Sequence, residues 1–382
     1  MNAAAAPVPK DAATAIANAR RVTIKVGSSL LFDEGARGPP HDWLAGVGSD
    51  IAALRGAGKQ VIVVSSGAVA LGREHLGLKR SQRLDHKQAA AAAGQALLMQ
   101  AWERALAPHA IPTAQLLLTI DDTEQRQRSL NARATIEVLL GAGALPVVNE
   151  NDSVATEELR YGDNDRLSAR IAQLAQSDVL ILLSDIDGLH AADPRRHPGA
   201  ALIPYVATID RAIEAAAGDS DAGGVGTGGM RTKIQAARIA SNFGCATIIA
   251  SGHGNRPIAR LVSGGVATLI AAGGTPASAY KNWIAATLAP GGAVTIDDGA
   301  RTALGVRKSL LPGGVTGVEG SFERGACVRV IDGAGAEVAR GIAAYSAAET
   351  RLICGHGSAH IADRLGYTGP DEIIHRNDLV ML

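Results

Sequence analysis

The fold class the chain predicts is an open α/β sandwich followed by a small β-rich domain. Three observations carry it. First, four short aliphatic runs, at residues 22–26, 61–64, 145–148 and 179–183, each end in small or polar residues. Buried parallel strands read as such runs, and ligands gather at their carboxyl ends. Second, helical patterns lie around and between them, at 50–57, 88–107, 129–140 and 165–175. The second of these is Ala-rich and broken by Pro108, and the third meets Gly141, a candidate C-terminal cap. A further strand is expected at 246–250, after a glycine-rich segment. Strand and helix alternation of this kind makes a sandwich of about 250 residues. Third, after Ala289-Pro290-Gly291-Gly292 the pattern changes to short strands separated by turns, at 294–296, 327–331 and 337–339, with Asp332-Gly333 as a tight-turn signal.

Composition agrees and sets limits. The 382 residues suffice for two or three domains. Hydrophobic residues make up 47% and aromatic ones only 3%, so the core is aliphatic, as a parallel sheet requires. A net charge of zero gives no general pull toward nucleic acid or anionic membranes. Cys245, Cys327 and Cys354 form no CxxC pair, and reduced thiols in a cytoplasm are expected. No apolar run reaches bilayer-spanning length, and the Ala-rich start lacks the continuous apolar segment of a signal peptide. The expected organisation is a poorly ordered tail at 1–20 with a short helix at 12–20, an α/β domain at 21–272, a linker at 273–290 and a β-rich domain at 291–382. No internal repeat is evident.

The most telling stretch is Gly223-Gly224-Val225-Gly226-Thr227-Gly228-Gly229-Met230-Arg231-Thr232-Lys233, followed by a helical pattern at 234–240. Glycines let backbone N–H groups approach an anion, a helix start adds positive potential, and Lys233 would meet a terminal phosphate. The spacing is not the Walker pattern, which has lysine directly after the last glycine. This is a nucleotide site without a P-loop, or else a flexible surface loop. Lys25, at the end of the first run and before Gly27-Ser28-Ser29, reaches a transferring phosphoryl group or snorkels at a strand end. Ser65-Ser66-Gly67-Ala68 suits a carboxylate or phosphate at a helix start, or is an ordinary N-cap.

Two acid- and amide-rich loops, Asn149-Glu150-Asn151-Asp152-Ser153 and Gly162-Asp163-Asn164-Asp165, each sit beside a hydrophobic segment. Asp152 suits an ammonium group, Asn164 a carboxylate, and Asp165 can orient the two lysines. Polar turns with an Asp cap account for either loop alone. They do not explain why both accompany two glycine-lysine sites. Ser184 and Asp185, after the most hydrophobic run, are placed to meet a nucleotide. Cys354, His356 and His360 lack a fourth ligand at zinc-like spacing and read as a solvated loop, so no protein metal site is expected.

Together these segments resemble the glutamate 5-kinases (gamma-glutamyl kinases) of the amino-acid kinase family. The matching pieces are Lys25-Val26-Gly27-Ser28-Ser29, Ser65-Ser66-Gly67-Ala68, Asn131-Ala132-Arg133, Asn149-Glu150-Asn151-Asp152, Gly162-Asp163-Asn164-Asp165, Asp193-Pro194-Arg195 and the stretch from Gly226 to Lys233. The resemblance runs from about residue 21 to the C-terminus. It implies a three-layer α/β/α sandwich and a C-terminal PUA-like domain, the latter supported by Ser309-Leu310-Leu311-Pro312-Gly313 and the segment 317–325. Carried over, Lys25, Lys233 and Asp165 are catalytic. ATP is bound by Lys25, Ser184, Asp185, Thr227, Gly228, Gly229, Met230, Arg231, Thr232 and Lys233. Glutamate is bound by Ser66, Asp152 and Asn164. Ser65 and Ser184 stand where relatives often have threonine, and Arg231 where a small polar residue is frequent.

The implied reaction is ATP- and Mg²⁺-dependent phosphorylation of the γ-carboxylate of L-glutamate, the first step of proline synthesis. The resemblance also implies inhibition by proline, with residues 121–126 candidates for shaping it, a homo-oligomer, and hand-over of a labile product to the next enzyme. Two rivals stay open. One is a related kinase acting on another carboxylate or on a phosphate acceptor. The other is RNA binding through the PUA-like domain, against which residues 291–382 carry 9 Arg or Lys and 11 Asp or Glu, a net of −2.

Overall fold

A computed structural model describes residues 9–31, 40–80, 83–154, 163–218, 229–287 and 290–382. The chain divides into two compact units, Met1–Pro276 and Ala277–Leu382. In the first, α1 (Ala12–Asn18) leads into β1 (Arg21–Val26), then α2 (His41–Gly56), β2 (Gln60–Val64), α3 (Ala68–His75), α4 (Leu84–Leu106) and β3 (Thr113–Leu118). Next come α5 (Ile120–Glu124), α6 (Arg126–Gly141), β4 (Leu145–Glu150), α7 (Asp163–Leu174) and β5 (Val179–Ser184). After β6 (Tyr205–Val206), α8 (Arg211–Ala216) and α9 (Met230–Asn242), the unit closes with β7 (Ala246–Ser251), α10 (Pro257–Val262) and β8 (Thr268–Ile270).

Among the described residues these strands form one eight-stranded sheet in the order β3-β4-β2-β1-β5-β7-β8-β6. All neighbours run parallel except β7 and β8. Every residue of β1 and β5 is buried, because helices cover both faces. Side-chain alternation divides the strands between two layers. Val22, Ile24, Ile181 and Leu183 pack with α1, α2 and α4 on one face, while Leu180, Leu182, Ile62 and Val64 pack against α6, α7 and α9 on the other. The result is a three-layer α/β/α sandwich. From β1 the chain moves out to β2 on one side and later returns to β5 on the other. That reversal opens a crevice at the carboxyl ends of β1 and β5, where ligands of open α/β sheets bind.

Local chemistry explains the elements. Asp11 caps α1 by accepting from Thr14 N at 2.8 Å. Ala12, Ala15 and Ile16 are buried in the core, so packing begins within the segment expected to be a loose tail. Helix α6 ends at Ala142, and the left-handed residue is Gly143 (φ 74°) rather than the expected Gly141. Strand β3 had no clear sequence signal. Its Thr-Ala-Gln-Leu-Leu-Leu run is poor in β-branched residues, and it lies at the sheet edge with Leu116 buried and Gln115 exposed. At the amino end of β1, buried Arg21 grips Glu137 of α6 with both Nη atoms, at 2.6 and 2.9 Å.

Helices α3 and α4 meet backbone to backbone. A Cβ on Gly72 would lie 1.7 Å from Ala90 O, and one on Gly94 would lie 1.8 Å from Ala68 O. No side chain fits at either point.

The second unit opens with α11 (Pro276–Thr287), which makes much of the expected linker at 273–290 helical. It contains β9 (Gly292–Ile296), α12 (Asp298–Gly305), β10 (Val315–Gly320), β11 (Cys327–Ile331), β12 (Glu337–Ile342), α13 (Ala347–Ile353), α14 (Ile361–Leu365) and β13 (Leu379–Met381). Among the described residues its five strands, ordered β10-β9-β11-β12-β13, close over a separate core that includes Val294, Val328, Val330, Tyr345 and Ile373. The expected turn between β11 and β12 is built by Asp332, whose Oδ1 accepts from Ala334 N and Ala336 N, with Gly335 taking the positive φ.

Gly94→Ala is expected to destabilise the first unit by about 3 kcal/mol or more, since backbone atoms must move. Gly141→Ala, which meets no atom within 4 Å, should be neutral or stabilising by up to about 1 kcal/mol. Denaturant titration of the two variants checks both, and equal effects would discount the tight crossing.

Candidate functional site

Three charged side chains converge where the crevice opens. Lys25 is the penultimate residue of β1, Asp165 is in the first turn of α7, and Lys233 is in the first turn of α9. All three are buried, Asp165 completely. Lys25 Nζ lies 2.6 Å from Asp165 Oδ1, and Lys233 Nζ 3.3 Å from Oδ2. Thr232 Oγ1 lies 2.8 Å from the same Oδ2 and 2.8 Å from Gly229 O. Burial alone would push the Asp165 carboxyl up, but the charges of Lys25 and Lys233 outweigh it and hold the group below the usual carboxylate range. Burial pushes Lys233 down from the usual lysine range, and the Lys25 charge adds to this while Asp165 opposes it. Two lysine cations thus share one fully buried carboxylate, and Asp185 adds a further negative field at Lys233. Gly229, at the N-cap of α9, offers no capping side chain, so the first amides of that helix add positive potential. Such an arrangement neutralises an incoming anion.

The remaining sequence-predicted residues line the same edge of the sheet. Ser66 is buried in the turn from β2 to α3, and Gly67 makes that turn in the left-handed region (φ 97°). Asp152 follows β4 and is half-buried. Asn164 precedes Asp165, and its buried Oδ1 accepts no hydrogen bond among the described residues. Ser184, at the end of β5, donates to Asp185 Oδ1 at 2.9 Å, and Arg195 lies 3.5 Å from Asp185 Oδ2. The loop after β1 is tied to β5 by Gly27 N donating to Leu183 O, and that after β7 by Gly252 N donating to Ser184 O. Because β4, β2, β1 and β5 are consecutive in the sheet, their ends place Asp152, Ser66, Lys25 and Ser184 in a row.

Direct contact joins Lys25, Asp165, Thr232 and Lys233, whereas Ser66, Asp152, Ser184 and Asp185 flank them on neighbouring strand ends. Met230 is half-buried and Arg231 exposed in the first turn of α9. Thr227 and Gly228 lie outside the described residues. Thr232, expected to meet nucleotide, hydrogen-bonds Asp165. Sequence reasoning missed Gln95 and Trp102 of α4, which touch Asn149 near the end of β4 and Ser65 just after β2. Their signal was faint: an amide and an indole seven residues apart in a helix otherwise read as an Ala-rich core element.

Comparison with known proteins places this geometry. Residues 20–251 match the amino acid kinase family, and residues 292–365 match the PUA domain. The glutamate 5-kinase of Caulobacter vibrioides is 58% identical over 366 residues, covering 95% of this chain and 97% of that protein. The chain belongs to the glutamate 5-kinases of the amino acid kinase family. Other members are similar throughout. Glutamate 5-kinase 1 of Rhizobium meliloti is 52% identical over 96% of this chain and 93% of its own length. The glutamate 5-kinase of Paramagnetospirillum magneticum is 50% identical over 96% and 99%. The expected sandwich fold and PUA domain are thus both present, and the chain is a kinase. No helix among the described residues is long and apolar enough to cross a membrane.

Asp165→Asn should cost about 3–5 kcal/mol at pH 7, because two lysines lose their buried counter-charge. The folded carboxyl is held low, so its contribution is complete above the ordinary carboxylate pKa of about 3.9 and is lost as pH falls through the depressed value. The gap between wild type and variant should therefore narrow below about pH 4. Denaturation midpoints at pH 7 and pH 3 test this, and a gap independent of pH would contradict it.

Proposed function

We propose that the chain transfers the γ-phosphoryl group of ATP to the γ-carboxylate of L-glutamate, forming L-glutamyl 5-phosphate and ADP. The single observation that carries this reading is the convergence of Lys25 and Lys233 on buried Asp165, beside the start of α9 and the strand ends holding Ser66 and Asp152. The names of the similar proteins support the choice of acceptor.

In this reading a glutamate carboxylate oxygen attacks the γ-phosphorus, an O–P bond forms, and the bond to the bridging oxygen of ADP breaks. The acceptor is already ionised at neutral pH, with a reference pKa of about 4.3, so no general base is needed. Positioning and charge neutralisation do the work. Lys25 and Lys233 flank the transferring group, and Asp165 holds both ammonium groups in place while remaining ionised. Thr232 keeps the start of α9 against Asp165, with the Thr227–Met230 stretch approaching the phosphates. Ser184 and Asp185 face the nucleotide from the end of β5. Asp152 takes the glutamate ammonium, while Ser66 and Asn164 serve its carboxylates through hydroxyl and amide groups.

Mg²⁺ fits as an ion that arrives on the nucleotide. Asp165 is engaged by two lysines and Thr232, and Asp185 by Ser184 and Arg195. These carboxylates leave the ion to phosphate oxygens and water, which suits Mg²⁺. When bound, it supplies charge neutralisation on the phosphates.

The same reading places the enzyme in the cytoplasm at the first step of proline synthesis, as a homo-oligomer that passes a labile acyl phosphate to the next enzyme. Proline, a cyclised relative of glutamate, acts as feedback inhibitor near the same pocket. Residues 121–126 are candidates for shaping that response. Glu124 of α5 lies 2.9 Å from Arg166 and 3.1 Å from Arg170 of α7, the helix that carries Asn164 and Asp165. An Arg126→Ala variant should change the proline concentration needed for inhibition, and inhibition left untouched would remove the assignment.

Hydroxylamine trapping with ATP, Mg²⁺ and a panel of glutamate, acetylglutamate and aspartate should give hydroxamate with glutamate alone. No hydroxamate from any carboxylate, in folded protein, would turn attention to phosphate acceptors and RNA. Lys233→Met keeps the apolar stem and should lower kcat roughly 10²- to 10³-fold with little change in glutamate KM. A rise in KM alone would contradict the role given to Lys233.

A further inference from the structure

Helix α4 reaches the end of β4 and the turn after β2, next to the residues read as the glutamate site. Gln95 and Trp102 are seven residues apart, two helical turns, and therefore share a face. Trp102 is fully buried, and its indole N–H donates to Ser65 Oγ at 3.0 Å. Ser65, equally buried, is the first residue after β2 and directly precedes Ser66; its hydroxyl donates in turn to Ser66 O at 3.3 Å. An indole has one donor and no alternative, so this bond fixes the rotation of the Ser65 hydroxyl.

The second contact falls on the neighbouring strand. Gln95 Oε1 accepts from Asn149 Nδ2 at 3.0 Å. Asn149 Oδ1 accepts from Glu150 N at 2.9 Å, which orients the amide and leaves its nitrogen to face Gln95. Because β2 and β4 are adjacent in the sheet, one helix face holds two adjoining strand ends. Gly94, beside Gln95, meets α3 through backbone alone, so the seating of α4 is defined by the main chain.

We propose that Trp102 and Gln95 are positioning residues for glutamate, acting through Ser65 and Asn149 to set the spacing of the loops that carry Ser66 and Asp152. This rests on the glutamate reading of those loops. Such a device governs uniform binding of one substrate and leaves the phosphoryl-transfer cluster alone.

The test uses the full chain and steady-state kinetics with glutamate and ATP varied separately. Trp102→Phe keeps the ring and loses the N–H; Gln95→Met keeps the length and loses the acceptor. Each should raise glutamate KM about fivefold, the worth of one hydrogen bond, with kcat and ATP KM unchanged. Adding Ser65→Ala to Trp102→Phe should raise KM by less than the product of the two single effects, because the two residues share one hydrogen bond. Unchanged glutamate KM in variants whose melting temperature shows them folded would overturn the proposal. So would a parallel rise in ATP KM, which marks general loosening. If Trp102→Phe does not fold, Gln95→Met decides by the same criteria. Wild-type protein that forms no glutamyl hydroxamate would instead overturn the glutamate reading itself, and the positioning role with it.

Discussion

A carboxylate without access to water, wedged between two lysines, is the constraint on which the rest of the first unit depends. Asp165, Lys25 and Lys233 come from α7, β1 and α9, far apart in sequence and joined only by folding. Each buried ion carries a desolvation penalty of several kcal/mol, which the pairing repays only in good geometry. Apolar residues of similar volume would generally serve stability as well or better. The arrangement makes physical sense when the two ammonium groups it holds side by side have an incoming anion to meet. A site of this kind is held ready by the fold and relieved by its ligand.

The sheet supplies that geometry. Lys25 sits near the end of β1, the strand from which the chain departs in both directions, so loops from either half gather around it. Helices α7 and α9 lie on the face opposite α1, α2 and α4. The charged cluster is therefore assembled from one helical layer plus a central strand. The other layer seats the serine turn after β2 through the close approach of α3 and α4 at Gly72 and Gly94. Two sets of contacts on two faces thus meet at one edge.

Much of this was legible in the sequence for physical reasons. Fully buried strands appear as aliphatic runs, and four of those runs became β1, β2, β4 and β5, with their polar endings at the crevice. Lysines beside glycine-rich turns, and an Asp at the start of an amphipathic helix, mark charge placed where backbone approaches closely. Strand β3 was harder to see, because an edge position does not demand β-branched residues and its leucines suit a helix equally. The buried face of α1 was hidden by an alanine-rich composition that also fits a loose tail. The partner of Thr232 was not legible either, since nothing in the chain near it announces Asp165, sixty-seven residues away.

Gln95 and Trp102 illustrate the deeper limit. A sequence motif reports residues that share a loop, whereas these two act across a helix–sheet interface on Ser65, just after β2, and Asn149 of β4. Neither polar atom is exposed chemistry; each satisfies a buried partner that would otherwise be left unpaired. In a layer built mainly from alanine and leucine, there are few side chains able to define the height and rotation of a strand end. Two hydrogen bonds on one helix face do so with a directionality that apolar packing lacks. Ser65 and Asn149, at neighbouring strand ends, are thus each held by a hydrogen bond with the helix beneath them.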